Sequence, residues 1–399
     1  MAVNGRRDGN LLSVGHGNGN GASARLLPNI SDATLRDSAH MAGVEFNARE
    51  TALVADLLAK TGIRLIEVGM ISGPFSHDAA LIEAAHDTVG PERCLSLVIV
   101  RDRHQVAKAL DEAMRLGCRS VMLSIPTSAE HAALKLASAS TKYLIAVARA
   151  AIQMAKERGF HVTFSGEDGA RTDKERLVPY VTAGFEAGAD RFRLAETVAY
   201  LAPWQMYDLI GEIAAIDGAE IEIHSHNMLG MAVANSLAAY EAGAAWISAT
   251  VGGVGERGGN APLAEILTSL RVIYGDTRYD LTRLTSLTGA VLDTRTTGLG
   301  DGFMPGPTTH HAFAYELLGQ LTHPAAYETI APEEVGNHRQ LRVRSRVTPP
   351  LIDWTLSGSG IEIDTSSFCD WLVLRQEQEG NPSLDQDAIC KLAAEFVSS

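Results

Sequence analysis

From residue 28 the chain alternates short apolar runs with longer amphipathic stretches rich in alanine and leucine. The short runs are Asn29–Ser31, Ile63–Val68, Cys94–Val100, Ser120–Ser124, His161–Ser165, Arg191–Leu194, Glu220–His224 and Trp246–Thr250. Their length and their β-branched and aromatic content predict buried strands. The stretches between them, such as Ala48–Leu58, carry the spacing of helices. Gly62, Gly117, Gly159 and Gly188 each close a helical stretch just ahead of a strand, where a C-cap is expected. Eight strand–helix units in roughly 250 residues predict an α/β fold closed into a (β/α)8 TIM barrel. A doubly wound open sheet is the competitor. No GxGxxG opens a first helix, and the count of eight favours closure.

The flanks read differently. Residues 1–27 are rich in Gly, Asn and Ser, as in Gly15–Gly21, and predict a disordered tail because they bury too little apolar surface to offset their ordering entropy. The barrel is expected over 28–290, with 291–399 as a small, mainly helical C-terminal subdomain serving as lid and dimerisation region. Within it, Ala388–Val397 has the pattern of an amphipathic helix.

Composition narrows the function classes. The chain has 46% hydrophobic and 21% charged residues, an ordinary globular balance. Its net charge of −14 argues against nucleic-acid and anionic-membrane partners, although a local cationic site can still bind an anionic substrate. No stretch approaches the roughly 20 apolar residues of a membrane span, and no apolar core follows Arg6 and Arg7 to make a signal peptide. Cys94, Cys118, Cys369 and Cys390 form no CxxC, which fits a reducing, cytoplasmic setting without disulfides.

In such a barrel the C-terminal ends of the strands share one rim, where active sites form. Asp32, Arg36 and Asp37 follow the first predicted strand, Glu67 ends the second and Arg101 follows the third. Ser124, Thr127 and Ser128 come after the fourth, then Ser165, Glu167, Asp168 and Arg171 after the fifth, and Glu196 and Thr197 after the sixth. His224 and His226 end the seventh, and Gly255–Asn260 follows the eighth. In an extended strand, side chains two positions apart point the same way. His224 and His226 therefore aim two nitrogens at one point, as two ligands of a divalent metal would.

Four segments carry a resemblance: Asp32–Asp37 (DATLRD), Ser165–Asp168 (SGED), His224–Asn227 (HSHN) and Gly253–Asn260 (GVGERGGN). Together they resemble the metal-dependent lyases and acyltransferases built on a DRE-TIM barrel, among them homocitrate, 2-isopropylmalate and citramalate synthases and hydroxymethylglutaryl-CoA lyase. The match runs in order from about residue 29 to 340. It implies that Asp37, His224 and His226 hold one divalent metal (Mg, Mn, Co or Zn), with Asn260 beside it. It also implies that Arg36 binds the substrate oxyanion, that Glu67 holds Arg36, and that Thr197 binds the carboxylate of a 2-oxo acid. Ser165 and Glu167 belong to the motif on the substrate side. The chemistry agrees, because a Claisen condensation needs a polarised carbonyl, a stabilised negative charge and a base for the acetyl-CoA methyl group.

Beyond the barrel, Tyr327–Glu328 followed by Pro332–Gly336 (PEEVG) resembles the post-barrel signature of the acyltransferase branch. That favours condensation of acetyl-CoA with a 2-oxo acid over carbon–carbon cleavage. Because few residues of this sequence follow Gly336, the long regulatory domain of isopropylmalate synthases is not expected. The family pattern implies a homodimer whose swapped post-barrel segment covers the partner's site. Several positions depart from the family's motifs. Ser38 and His40 stand where the first motif usually has Gly and Gln, and Met228 where Asp usually follows HxHN. Upstream of Tyr327, Glu316 falls where the acyltransferases carry a histidine, with His311 five residues earlier. Glu316 or His311 is therefore expected to share proton transfer with Tyr327. Thr163 replaces an arginine that homocitrate synthases use for 2-oxoglutarate, which favours another distal group, such as oxaloacetate or a phosphonate, with His40 and Arg101 as its cations. A lyase or aldolase with the same metal and Arg36, and a non-catalytic metal-binding scaffold, are the alternatives.

Overall fold

The structure is a computed structural model that describes residues 26–38, 41, 44–292, 311–313, 319, 322–327, 339–341, 343, 347–379 and 384–398. Eight parallel strands close a barrel in sequence order: β1 (Asn29–Asp32), β2 (Leu65–Ile71), β3 (Cys94–Ile99), β4 (Ser120–Pro126), β5 (His161–Glu167), β6 (Arg191–Glu196), β7 (Ile221–Ser225) and β8 (Trp246–Ala249). Closure is made by β1 lying beside β8, with Asn29 opposite Trp246 and Asp32 opposite Ala249. The expected fold is therefore the observed one.

Parallel strands are buried on both faces, and every residue of β2 is buried here. Alternation sorts the side chains. Along β6, Phe192 and Leu194 point outward into the core shared with the helices, while Arg191 and Arg193 point into the barrel. The outer layer packs tightly. Phe164 on β5 meets Phe192 with ring centroids 4.9 Å apart and Phe185 at 5.7 Å. Helix Lys174–Glu186 approaches at Gly184, where a Cβ would lie 2.1 Å from the Phe164 ring.

Helix ends follow the expected chemistry. Asn47 and Glu50 form a capping box on helix Ala48–Thr61, and Gly62 closes it in the left-handed region at φ 102°. Two boundaries move. β2 starts at Leu65 and runs on to Ile71, so Glu67 lies within the strand and not at its end. The pairing with β3 shifts register between Glu67 and Met70, an irregularity that carries β2 past Gly69. All four cysteines are unpaired thiols.

After the barrel, helices Pro349–Leu356, Thr365–Gln378 and Gln386–Ser398 build a second core from Leu351, Ile352, Phe368, Leu372, Ile389 and Ala393. Residues 1–25, His40, Glu316 and 328–338 lie outside the described residues, and so does the side chain of His311. No described helix is long and apolar enough to cross a membrane.

Gly184→Ala should destabilise the fold by about 1–3 kcal/mol, because the new methyl meets an aromatic ring held on three sides. A shift of the urea midpoint with an unchanged m-value checks this.

Candidate active site

A cavity of about 400 Å³ opens at the C-terminal rim of the barrel. Its floor begins with charges inside the barrel. Arg193, on β6, donates from Nη1 to Glu67 (2.6 Å) and from Nη2 to Glu222 (2.9 Å). Glu67 also accepts from Nε of Arg36 (2.5 Å), and Arg36 Nη1 donates to Asp37. Ser31 donates to Glu222. All are buried, so each cation and carboxylate depends on its neighbour for the solvation it has lost. Burial works against the Arg36 cation, but Glu67 and Asp37 outweigh it and keep the guanidinium charged. Glu222 behaves correspondingly: burial would raise it, and Arg193 with Arg191 holds it below the usual carboxylate range.

Above this layer Asp37, His224 and His226 converge, each offering a ligand atom within 4.8 Å of the others. His224 Nε2 and His226 Nε2 each lie 3.9 Å from an Asp37 oxygen. Their Nδ1 atoms are held from behind, His224 by the Ser248 hydroxyl (2.9 Å) and His226 by the Glu196 carbonyl (3.1 Å). Such contacts fix the rings and leave Nε2 facing the site. Burial lowers both imidazoles, His224 well below its ordinary value and His226, with Arg257 adding to it, to about 4. At neutral pH both are uncharged, the form that binds a metal.

Asn260 donates from Nδ2 to Asp37 (2.5 Å), while its buried Oδ1 has no hydrogen-bond partner. Gly255 permits this approach, since a Cβ there would sit 2.0 Å from Asn260 Nδ2 and 2.6 Å from Asp37 Oδ2. Two neutral imidazoles, a carboxylate and an unpartnered amide oxygen are a donor set that fits a divalent cation.

The remaining candidates take distinct places. Ser165, Glu167 and Thr197 line the cavity with the Arg36 and Asp37 pair. Thr197 Oγ1 accepts from the Asp168 N–H (2.8 Å), so its own proton is available to a ligand. Glu167 is already engaged by Lys135 (2.7 Å) and His131 (2.5 Å); burial would raise its carboxyl, but these cations hold it well below the usual range. Arg101 is exposed at the mouth, and its neighbour Asp102 caps the next helix. Tyr327 is buried and lines the cavity. Another side of the cavity carries Met70, Leu97, Ile99 and Met122, with the Ser124 hydroxyl next along β4.

Sequence reasoning missed Arg193, Glu222, His131 and Lys135. The first two left a signal, since charges on alternate positions of an apolar strand (Arg191 and Arg193; Glu220 and Glu222) mark an inward polar face. Arg193 and Glu222 are direct partners in the β6–β7 register. His131 lies on helix Ala129–Lys135, and nothing in its neighbourhood announced Glu167, which is 36 positions away.

Residues 27–291 match the HMGL-like family. The chain is 33% identical over 323 residues to 2-isopropylmalate synthase 2 of Caldanaerobacter subterraneus, covering 78% of this chain and 80% of that protein. It is 31% identical over 339 residues to 2-phosphonomethylmalate synthase of Streptomyces rubellomurinus, covering 83% and 88%. In fold it is similar to an HMG-CoA lyase from Brucella melitensis, with a TM-score of 0.58 at 18% identity over 67% of this chain and 99% of the lyase.

Arg193→Met should cost about 3–5 kcal/mol, because it leaves Glu67 and Glu222 as buried charges without their shared cation. Denaturant titration at neutral pH measures it, and a loss under ~1 kcal/mol would contradict the network.

Proposed function

The chain belongs to the HMGL-like family, and on that premise we propose that it is a metal-dependent acyltransferase that condenses acetyl-CoA with a 2-oxo acid, releasing CoA. The observation that carries this reading is the meeting of Asp37, His224 and His226 with Arg36 in a cavity that Tyr327 lines. The relatives named as synthases support it on the same barrel.

Asp37, His224 and His226 would hold the cation, with Asn260 beside it. When bound, a divalent cation supplies Lewis acidity at the 2-oxo group. Arg36, oriented by Glu67 and Asp37 before substrate arrives, donates to the oxygen that becomes negative as the carbon–carbon bond forms. Thr197 donates its hydroxyl proton to the acid's carboxylate. Glu167 is a poor base here, because Lys135 and His131 hold its proton affinity well below the usual carboxylate range. Proton abstraction from the acetyl methyl group falls instead to Tyr327 with Glu316 or His311.

The distal group of the acid meets the wall of Met70, Leu97, Ile99 and Met122. A second anion pressed against thioether and alkyl groups would lose its hydration without replacement. An alkyl-bearing 2-oxo acid therefore fits that wall best. An oxaloacetate-like or phosphonate acid is the second reading, favoured by Arg101 at the mouth. A cytoplasmic homodimer completes the proposal, with the oligomer checked by sedimentation.

Thiol release from acetyl-CoA, assayed with 2-oxoisovalerate, pyruvate, oxaloacetate, 3-phosphonopyruvate and 2-oxoglutarate under Mg, Mn, Co or Zn, tests the reaction. No release with any acid would overturn it. Arg36→Met should lower kcat by about 10²–10³. Asp37→Ala should abolish high-affinity Mn binding in calorimetry. Glu316→Gln or His311→Ala should slow turnover by about 10²–10⁴, and near-wild-type rates in both would remove them from proton transfer.

A further inference from the structure

Two consecutive residues at the end of β6 serve the site in different ways. The Glu196 carbonyl accepts from His226 Nδ1 (3.1 Å), while Thr197 lines the cavity, its hydroxyl oxygen accepting from the Asp168 N–H (2.8 Å). The loop that follows is tightly bent. The Glu196 carbonyl also accepts from the Ala199 N–H (3.3 Å), and Ala199 stands at a positive φ of 50°, which an alanine adopts only where its surroundings enforce it.

The enforcing group lies on another element. Asn235 belongs to helix Ala232–Ala242, which follows β7. Its Nδ2 reaches Glu196 Oε1 (3.1 Å), Glu196 Oε2 (3.0 Å) and the Leu201 carbonyl (2.9 Å). A carbonyl only accepts, so the atom facing it is the amide nitrogen; one of its protons goes to Leu201 and the other to the Glu196 carboxyl. The Leu201 N–H donates in turn to Glu196 Oε1 (2.9 Å). One side chain thus ties both ends of loop 196–201. Asn235 and Glu196 are both buried, and neither lines the cavity. The same helix is joined to the end of β7, because the Ala232 N–H donates to Asn227 Oδ1 (3.1 Å), one residue past His226.

We infer that Asn235 is a positioning residue that sets the Nδ1 contact of His226 and the place of Thr197 together, through the side chain of Glu196. The ring of His226 is aimed by what its Nδ1 meets, so a displaced Glu196 carbonyl turns Nε2 away from the point it shares with Asp37 and His224. The Mn part of the test rests on the proposed metal site and the KM part on the proposed condensation; the exchange part rests on neither.

Asn235→Asp keeps the size of the side chain and replaces its donor with an acceptor facing Glu196. It should speed hydrogen exchange of the Leu201 amide about tenfold or more, with the barrel strands unchanged. It should also weaken Mn binding in calorimetry about tenfold. Adding Glu196→Gln turns the tie around: the new amide nitrogen donates to the aspartate while its oxygen still accepts from Leu201. Mn affinity should then return to within about threefold of the wild-type value. A double variant that binds Mn no better than Asn235→Asp would overturn the inference, as would a folded Asn235→Asp chain with unchanged Mn affinity or unchanged Leu201 exchange. If Asn235→Asp does not fold, Asn235→Ser, whose hydroxyl falls short of the carboxyl, decides by the same two readouts. In turnover, Asn235→Asp should raise KM for the 2-oxo acid about threefold or more even at saturating Mn, because Thr197 moves with the loop. A wild-type KM under those conditions would overturn the part that concerns Thr197. A wild-type chain that binds no Mn would sink the metal reading itself, and one that binds Mn without releasing thiol would sink only the reaction.

Discussion

The site depends on the ion pairs that fill the barrel beneath it. Arg193 joins Glu67 to Glu222, Glu67 joins Arg193 to Arg36, and Arg36 reaches Asp37 at the edge of the ligand cluster. Charges this deep are tolerated only because each one solvates the next. In the proposed condensation Arg36 would be aimed in advance, so little reorganisation would be left for the moment when charge develops on the substrate. Arg191, one layer lower, lies 3.6 Å over the ring of Trp246.

The cavity above has two unlike walls. Strands β1, β7 and the loop after β8 present Asp37, two imidazoles and Asn260; strands β2 to β4 present methionine, leucine and isoleucine. A substrate with one polar and one apolar end is matched end to end by that asymmetry. Tyr327 also lines it, beside the Ala326 carbonyl that meets His131 and Arg171. The Asp37–histidine cluster and the methionine–leucine–isoleucine side thus come from different strands of one rigid frame, the arrangement that lets a barrel place several groups around one cavity.

Much of this was legible in order along the chain. Alternation of apolar runs with helical spacing gave the eight units, since periodicity is a local property. The HxH of β7 was readable because i and i+2 share a face in any strand, and Arg36–Asp37 because adjacent residues sit just beyond β1. Glu67 was assigned to hold Arg36, but its placement at the strand end was wrong, as a register irregularity extends β2 past Gly69. Arg193 and Glu222 could have been read from charges on alternate strand positions, yet polar strand residues also occur at exposed edges, and only closure of the sheet excludes that here.

By itself, then, the sequence determined the eight-strand rhythm, the histidine pair on one strand face and the cation beside the aspartate. Each rests on contacts between residues at most a few positions apart. The tertiary structure alone decided that Glu167 is spoken for by His131 and Lys135, that Met70, Leu97, Ile99 and Met122 share one side of the cavity, and that the His131 ring meets the Ala326 carbonyl beside Tyr327. The hydrogen bonds among those facts join residues 32 to 195 positions apart, and no local pattern encodes which distant partner a buried imidazole will find.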